Sequence, residues 1–280
     1  MSEQIEKDKI EKEQIEKDKI YNCDCLEGMK HIPNASIDLV VTSPPYDNLR
    51  QYGGAAEDWN FDKFTQIAQQ LTRVLKDGGV IIWVVGDATA DGSESLTSFK
   101  QAIYFREECG LNLYDTMLYM KANPLPQTQR RYEQVFEYMF AFSKGMPAAF
   151  NPIRVTSKRA GEYQQWGRDI NTDERTAKYL RKDDVRKTNE TKIHGNAFVY
   201  GIGGNPTGHP AVFPQQLALD QVFTWSNEGD TVLDPFMGSG TTAVACIKEK
   251  RHFIGFELNK QYYDKACQRI DAERRQLSLF

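Results

Sequence analysis

Asp234-Pro235-Phe236-Met237-Gly238-Ser239-Gly240-Thr241-Thr242 follows the apolar run Thr231-Val232-Leu233, and Thr42-Ser43-Pro44-Pro45-Tyr46 follows Ile37-Asp38-Leu39-Val40-Val41. Each run reads as a buried strand, so each cluster is expected where a strand ends. Open α/β sheets hold their ligands at strand ends of this kind. Gly238 and Gly240 let the backbone approach a ligand where a side chain would collide, and a helix starting near Thr241 would aim its free N–H groups at the same place. A tight strand-to-helix turn without a ligand accounts for Gly-x-Gly equally well. The next apolar run, Phe253-Ile254-Gly255-Phe256-Glu257, tips the balance. It ends in a carboxylate at the spacing of an acid that accepts from ribose hydroxyls, which points to a nucleoside cofactor.

The rest of the chain keeps a strand-helix cadence. Phe61, Phe64, Ile67, Ala68, Leu71, Val74 and Leu75 repeat at helical spacing, Asp77-Gly78-Gly79 stops that helix, and Val80 to Val85 reads as a strand. A helix over Ser95 to Cys109, strands near Leu113 to Met120 and Val135 to Phe142, and a helix opened by Pro214 with Ala218, Val222 and Trp225 on one face continue the pattern. A last helix is expected from Gln261. The prediction is an α/β protein with a doubly wound, Rossmann-like sheet. Between Gly145 and Gly204 periodicity dissolves, and a stretch that long is an inserted recognition region or a mobile lid. The expected organisation is a charged, flexible tail over 1–20, one half of the domain over 21–144, the insertion over 145–204 and the other half over 205–280.

The 280 residues can bury one sizeable core plus a small inserted module. Apolar stretches are too short for a membrane span, and the charged start of the chain is unlike a secretory signal, so a cytoplasmic protein without a membrane partner is expected. The five cysteines form no CxxC pair and the four histidines lie away from them, so no metal site is expected; Cys23-x-Cys25 is spaced too closely for the usual zinc pair. The net charge of −4 hides a gradient: residues 121–200 carry 15 Lys+Arg against 9 Asp+Glu. Such a middle can neutralise a phosphate backbone or simply form a solvated surface. Arg130-Arg131 there leave the same choice open, while Tyr163 and Trp166 would either stack on DNA or form local core. The repeat Glu-Gln-Ile-Glu-Lys-Asp-Lys-Ile at 3–10 and 13–20 puts isoleucine at every fifth position, which winds around a helix instead of forming a stripe.

In Ser43-Pro44-Pro45-Tyr46 the prolines stiffen the backbone and remove two N–H donors. Carbonyl oxygens and the Ser43 hydroxyl remain as acceptors for an exocyclic amine, with Tyr46 as a flat face for the ring. A rigid turn after a strand is the bland alternative for this cluster taken alone. Taken with Asp234 to Thr242 and with His209-Pro-Ala-Val-Phe-Pro-Gln-Gln-Leu217, it resembles the S-adenosylmethionine-dependent amino-methylating DNA methyltransferases. The order, target-base motif first and cofactor motif last with the variable basic region between, is similar to their β class. The likeness runs from about Ile20 to Ile270.

The resemblance implies a methyltransferase sheet with a basic target-recognition insertion, S-adenosylmethionine as cofactor and double-stranded DNA as partner. It is compatible with a homodimer and with a cognate restriction nuclease. It implies that Ser43, Pro44, Pro45 and Tyr46 orient a flipped base for direct attack of its amino nitrogen on the sulfonium methyl. Thr42, Asp234, Phe236, Gly238, Ser239 and Gly240 would line the cofactor pocket, Glu257 would hold the ribose, and Asp24 would lie near the cofactor adenine unless it merely caps a helix. His209, Pro210 and Phe213 would pack at the methionine end. The Pro-Cys dipeptide, where a cytosine-C5 methyltransferase would require its nucleophilic cysteine, does not occur in the sequence. Ser at position 43 leans toward cytosine N4, with adenine N6 as the alternative. Methylation of RNA or a small molecule, and a DNA-binding module without catalysis, are the rival readings; neither motif carries the damage the latter would leave.

Overall fold

A computed structural model describes residues 15–45, 59–124, 126, 130–166, 184–201 and 214–277, so Tyr46, His209, Pro210 and Phe213 lie outside the described residues. The chain begins with β1 (Lys19–Tyr21), α1 (Cys25–Met29), β2 (Ile37–Thr42), α2 (Phe61–Val74) and β3 (Leu75–Val85). The small hairpin of β4 (Thr89–Ala90) and β5 (Ser93–Glu94) leads to α3 (Thr97–Glu107), β6 (Asn112–Lys121) and β7 (Phe136–Ser143). Four short strands follow: β8 (Arg154–Thr156), β9 (Tyr163–Trp166), β10 (Asp184–Lys187) and β11 (Thr191–Ile193). The chain closes with β12 (Ala197–Tyr200), α4 (Gln215–Trp225), β13 (Thr231–Asp234), α5 (Thr241–Lys248), β14 (His252–Phe256) and α6 (Lys260–Leu277).

Eight of these strands form one sheet in the order β1-β14-β13-β2-β3-β7-β6-β12. All neighbours are parallel except those of β7, which runs antiparallel between β3 and β6. From β2 the chain goes on to β3 on one side, and from β13 to β14 on the other. The winding therefore reverses between β2 and β13, the place where doubly wound sheets leave a crevice for ligands.

Both faces of the sheet are covered. Met29, Phe64, Ile67, Leu71 and Phe105 pack on Val40, Ile81 and Trp83, while Leu217, Val222, Ala243 and Ile270 pack on Leu39, Val41, Ile82 and Val232. Successive residues of a strand point to opposite faces, so strands covered on both sides read as unbroken apolar runs. Helix α2 buries Phe64, Ile67, Ala68, Leu71 and Val74, and the Asn60 side chain caps its start by accepting from the Lys63 N–H at 2.9 Å. Leu75, expected to close that helix, instead begins β3. Ile37 pairs with Leu75 and Leu39 with Val80, so Lys76 to Gly79 bulge out of the ladder. No helix among the described residues is long and apolar enough to cross a membrane.

Two boundaries differ from the sequence expectation. The sheet starts inside the charged repeat: Lys19, Ile20 and Tyr21 pair with Ile254, Gly255 and Phe256, and Ile20 is buried in the core. A three-residue edge strand shows no periodicity for a helical reading to detect. It fits because Gly255 leaves room: a Cβ there would stand 2.8 Å from Ile20 Cγ2. The insertion is also shorter than 145–204. A separate compact unit covers Pro152–Gly195, in which β8 pairs antiparallel with β11 and β9 with β10. Asn151 is held by Thr224, Phe223 and Ser226, and Ala197–Tyr200 returns to the main sheet beside β6.

Ile20→Ala is expected to lower the unfolding free energy by about 2 kcal/mol, read from urea unfolding. An unchanged midpoint would return residues 15–20 to a solvated tail.

Candidate active site

Asp234 ends β13 with its side chain buried. Its Oδ1 accepts from the Thr42 hydroxyl at 2.7 Å and from the Phe236 N–H at 3.0 Å. Its Oδ2 accepts from the Thr242 hydroxyl at 2.7 Å. An ionised carboxylate only accepts, and three donors converge on it here. One side chain thus joins the last residue of β2, the turn after β13 and the first turn of α5. Burial pushes its pKa up to about 6, while the bonds from Thr242, Thr42 and Phe236 pull the other way. Ser43, Pro44 and Pro45 follow Thr42 directly, with Pro44 buried and its two neighbours half-buried.

The glycine turn lies on the other side of the same carboxylate. Gly238 (φ 55°) and Gly240 (φ 83°) occupy the left-handed region. A Cβ on Gly240 would also press on the Ala266 Cβ at 3.2 Å. The Gly238 N–H donates to Glu257 Oε2 at 2.8 Å, and Glu257 Oε1 accepts from the Asn259 N–H at 2.7 Å. Burial pushes the Glu257 carboxyl up to about 6 against these two bonds. Each of its oxygens has lone-pair capacity left after one backbone N–H. The Ser239 hydroxyl is buried and has no hydrogen-bond partner among the described residues. Phe236 is packed edge-on against Trp59 and Trp83 at centroid distances of 5.5 and 6.5 Å.

Asp24 is the N-cap of α1. Its Oδ1 accepts from the Leu26 N–H at 2.8 Å and its Oδ2 pairs with Lys63 Nζ at 2.9 Å. The segment that carries it is bound to the end of β14: the Glu257 N–H donates to the Tyr21 carbonyl at 3.0 Å, and Asn22 Nδ2 donates to the Glu257 carbonyl at 2.7 Å. Thr42 to Pro45, Asp234, Phe236, Gly238 to Gly240, Glu257 and Asp24 therefore gather at the carboxyl ends of four adjacent strands. Asn22 escaped the sequence reading because a lone Asn between a strand and a helix carries no spacing signal. Lys63 escaped it because its partner lies 39 positions away. Arg131 donates to the Gly92 carbonyl and pairs with Glu94 at 3.6 Å, bracing the β4–β5 hairpin.

A family model described as DNA methylase, of the N6/N4 type, matches residues 37–268. The chain belongs to the N6/N4 DNA methylase family. An orphan methyltransferase of Bacillus amyloliquefaciens, M.BamHII, is 43% identical over 256 residues, covering 86% of this chain and 91% of that protein. Among solved structures, the fold is similar to the PvuII DNA methyltransferase (cytosine-N4-specific), with a TM-score of 0.65 and 21% identity over 92% of this chain and 91% of that one. It is also similar to the M1.HpyAVI–SAM complex, with a TM-score of 0.60 and 25% identity over 90% of this chain and 98% of that one.

The methyl donor of this N6/N4 family is S-adenosylmethionine, and the residues present fit it. The missing side chain at Gly240 makes room for Ala266, so the fit to the donor rests on the polar groups of the turn and of the next strand's end. The orphaned Ser239 hydroxyl and the spare lone pairs of Glu257 are suited to a ligand rich in hydroxyls and amines.

The raised pKa of Asp234 has a definite sign. The folded state holds its proton more tightly than the unfolded chain, so stability from this group is present below pH 4 and is lost as pH rises toward 6. Relative to Asp234→Asn, the native chain is expected to lose on the order of 3 kcal/mol between pH 4 and pH 7, measured by urea unfolding across that range. Parallel stability curves for the two proteins would contradict it.

Proposed function

We propose that this N6/N4 DNA methylase acts on the exocyclic amino group of a base flipped from double-stranded DNA, with cytosine N4 preferred to adenine N6. The observation that carries the reading is the Thr42–Asp234–Thr242 bridge, which fastens the Ser-Pro-Pro turn beside the glycine turn. A donor held at one turn and a base held at the other would be neighbours.

S-adenosylmethionine, when bound, supplies an electrophilic methyl group on a sulfonium. Glu257 would accept from its ribose hydroxyls and Phe236 and the Asp24 segment would flank its nucleoside end, while His209, Pro210 and Phe213, which lie outside the described residues, are the residues proposed for its methionine end. Ser43 Oγ and the Pro44 carbonyl accept the N–H groups of the target amine, and Tyr46 supports the ring. These acceptors would draw the amine protons outward and leave the nitrogen lone pair free to react, and the proton that the methylated nitrogen sheds would pass by way of them to solvent. Positioning and charge stabilisation suffice, without a covalent nucleophile. A neutral acceptor such as Ser43 can hold either amino group; the preference for cytosine rests on the resemblance, in which Ser at this position is commoner among the N4-cytosine members. Pro152–Gly195 carries 11 Lys+Arg against 7 Asp+Glu, a balance suited to phosphate contact, and is the proposed target-reading module.

Incubation with isotope-labelled S-adenosylmethionine and double-stranded DNA, followed by nucleoside mass spectrometry, is expected to yield N4-methylcytosine. N6-methyladenine as the sole product would reverse the base preference, and absence of any methylated base would overturn the activity. Ser43→Ala is expected to keep cofactor binding and lose turnover on the order of 10²-fold; an unaltered rate would remove Ser43 from its role.

A further inference from the structure

Helix α6 closes over the glycine turn. Ala266 and Ile270 are its buried residues, and Ala266 fills the space beside Gly240. Arg269 stands three positions after Ala266 and so shares its face of the helix. Its guanidinium donates from Nη1 to Thr241 Oγ1 at 3.0 Å and to the Ser239 carbonyl at 3.3 Å, and from Nη2 to Gln215 Oε1 at 3.1 Å. All three hydrogen-bond acceptors are neutral, and burial draws the Arg269 pKa below its usual value while the Glu273 carboxylate one turn further along the helix pulls the other way. Glu273 offsets part of the cost of half-burying this cation, and the planar fork lets the guanidinium reach several oxygens at once.

Here the fork reaches two separate segments. Ser239 and Thr241 flank Gly240, the most conformationally free position of the turn. Gln215 opens α4 immediately after Pro214 and the stretch proposed to meet the methionine end. We propose that Arg269 is a positioning residue for the methyl donor, fixing the glycine turn and the start of α4 in the spacing that the donor requires. The inference rests on the methyltransferase reading above. A glycine turn loses much freedom on ordering, and a clamp that orders it before the ligand arrives removes that loss from the binding step. The sequence had no signal for this, because an Arg in a charged terminal helix reads as a solvated residue.

The test compares the unaltered chain with Arg269→Met, Arg269→Lys and Gln215→Ala. S-adenosylmethionine affinity is measured by calorimetry, steady-state kinetics are measured with DNA, and thermal unfolding serves as the control for folding. Arg269→Met is expected to raise Kd and KM for S-adenosylmethionine about tenfold to a hundredfold, with kcat at saturating donor and KM for DNA within about twofold of the unaltered values. Arg269→Lys, which keeps one donor group, should recover part of the affinity. Gln215→Ala, which removes one arm without touching α6, should weaken donor binding by a smaller factor. Equal donor affinity in Arg269→Met and the unaltered chain would overturn the proposal. So would a uniform loss across kcat and both KM values that Arg269→Lys does not relieve. Failure of the unaltered chain to bind S-adenosylmethionine would bring down the methyltransferase reading and this inference together, an outcome distinct from the other two.

Discussion

The hydrogen bonds converging on the Asp234 carboxylate are the constraint on which the rest depends. A carboxylate removed from water is strongly destabilising unless donors surround it, and here the donors come from Thr42, Thr242 and the Phe236 backbone. Thr42 is 192 positions away in the chain. The carboxylate therefore does more than end a strand. Displacing either turn would leave a buried charge short of partners, so the two turns hold one spacing.

The same pair of strands is fastened at its opposite end. Asp38 Oδ2 accepts from the Thr231 N–H at 2.9 Å, and its Oδ1 accepts from Lys76 Nζ at 2.6 Å. Between the two aspartates, Leu39, Val40, Val232 and Leu233 are fully buried. The junction where the winding reverses is thus apolar along its length and polar at both ends. That arrangement fixes register in a parallel pair, since a slip would break both sets of bonds and turn each strand's side chains to the wrong face. The outer layer follows from it: Glu257 steadies Gly238 from the next strand, Asn22 binds the end of that strand, and Arg269 reaches the turn from the helix above.

Much of the architecture was legible before any coordinate. Continuous apolar runs read as strands covered on both faces, and Phe64, Ile67, Ala68, Leu71 and Val74 marked a helix by spacing alone. The failures share a cause. Ile20 and Ala197–Tyr200 form short edge strands whose pairing is decided by a distant partner, not by local periodicity. The compact unit Pro152–Gly195 contains short paired strands in a polar sequence that looks like loop. For Arg131 and Lys63 the partner, not the residue, gives the meaning.

The sequence by itself determined that a glycine turn and a proline turn exist, what donors and acceptors each offers, and that each follows a buried strand. Those are local properties, set by glycine's freedom, proline's missing N–H and the length of an apolar run. Only the tertiary structure decided that the turns are neighbours, that Asp234 is the bridge between them, and that Asn22 and Arg269 serve the same site. Adjacency of strands remote in the chain depends on which faces bury each other and which hydroxyls reach which carboxylate, and no spacing in a linear sequence encodes that distance.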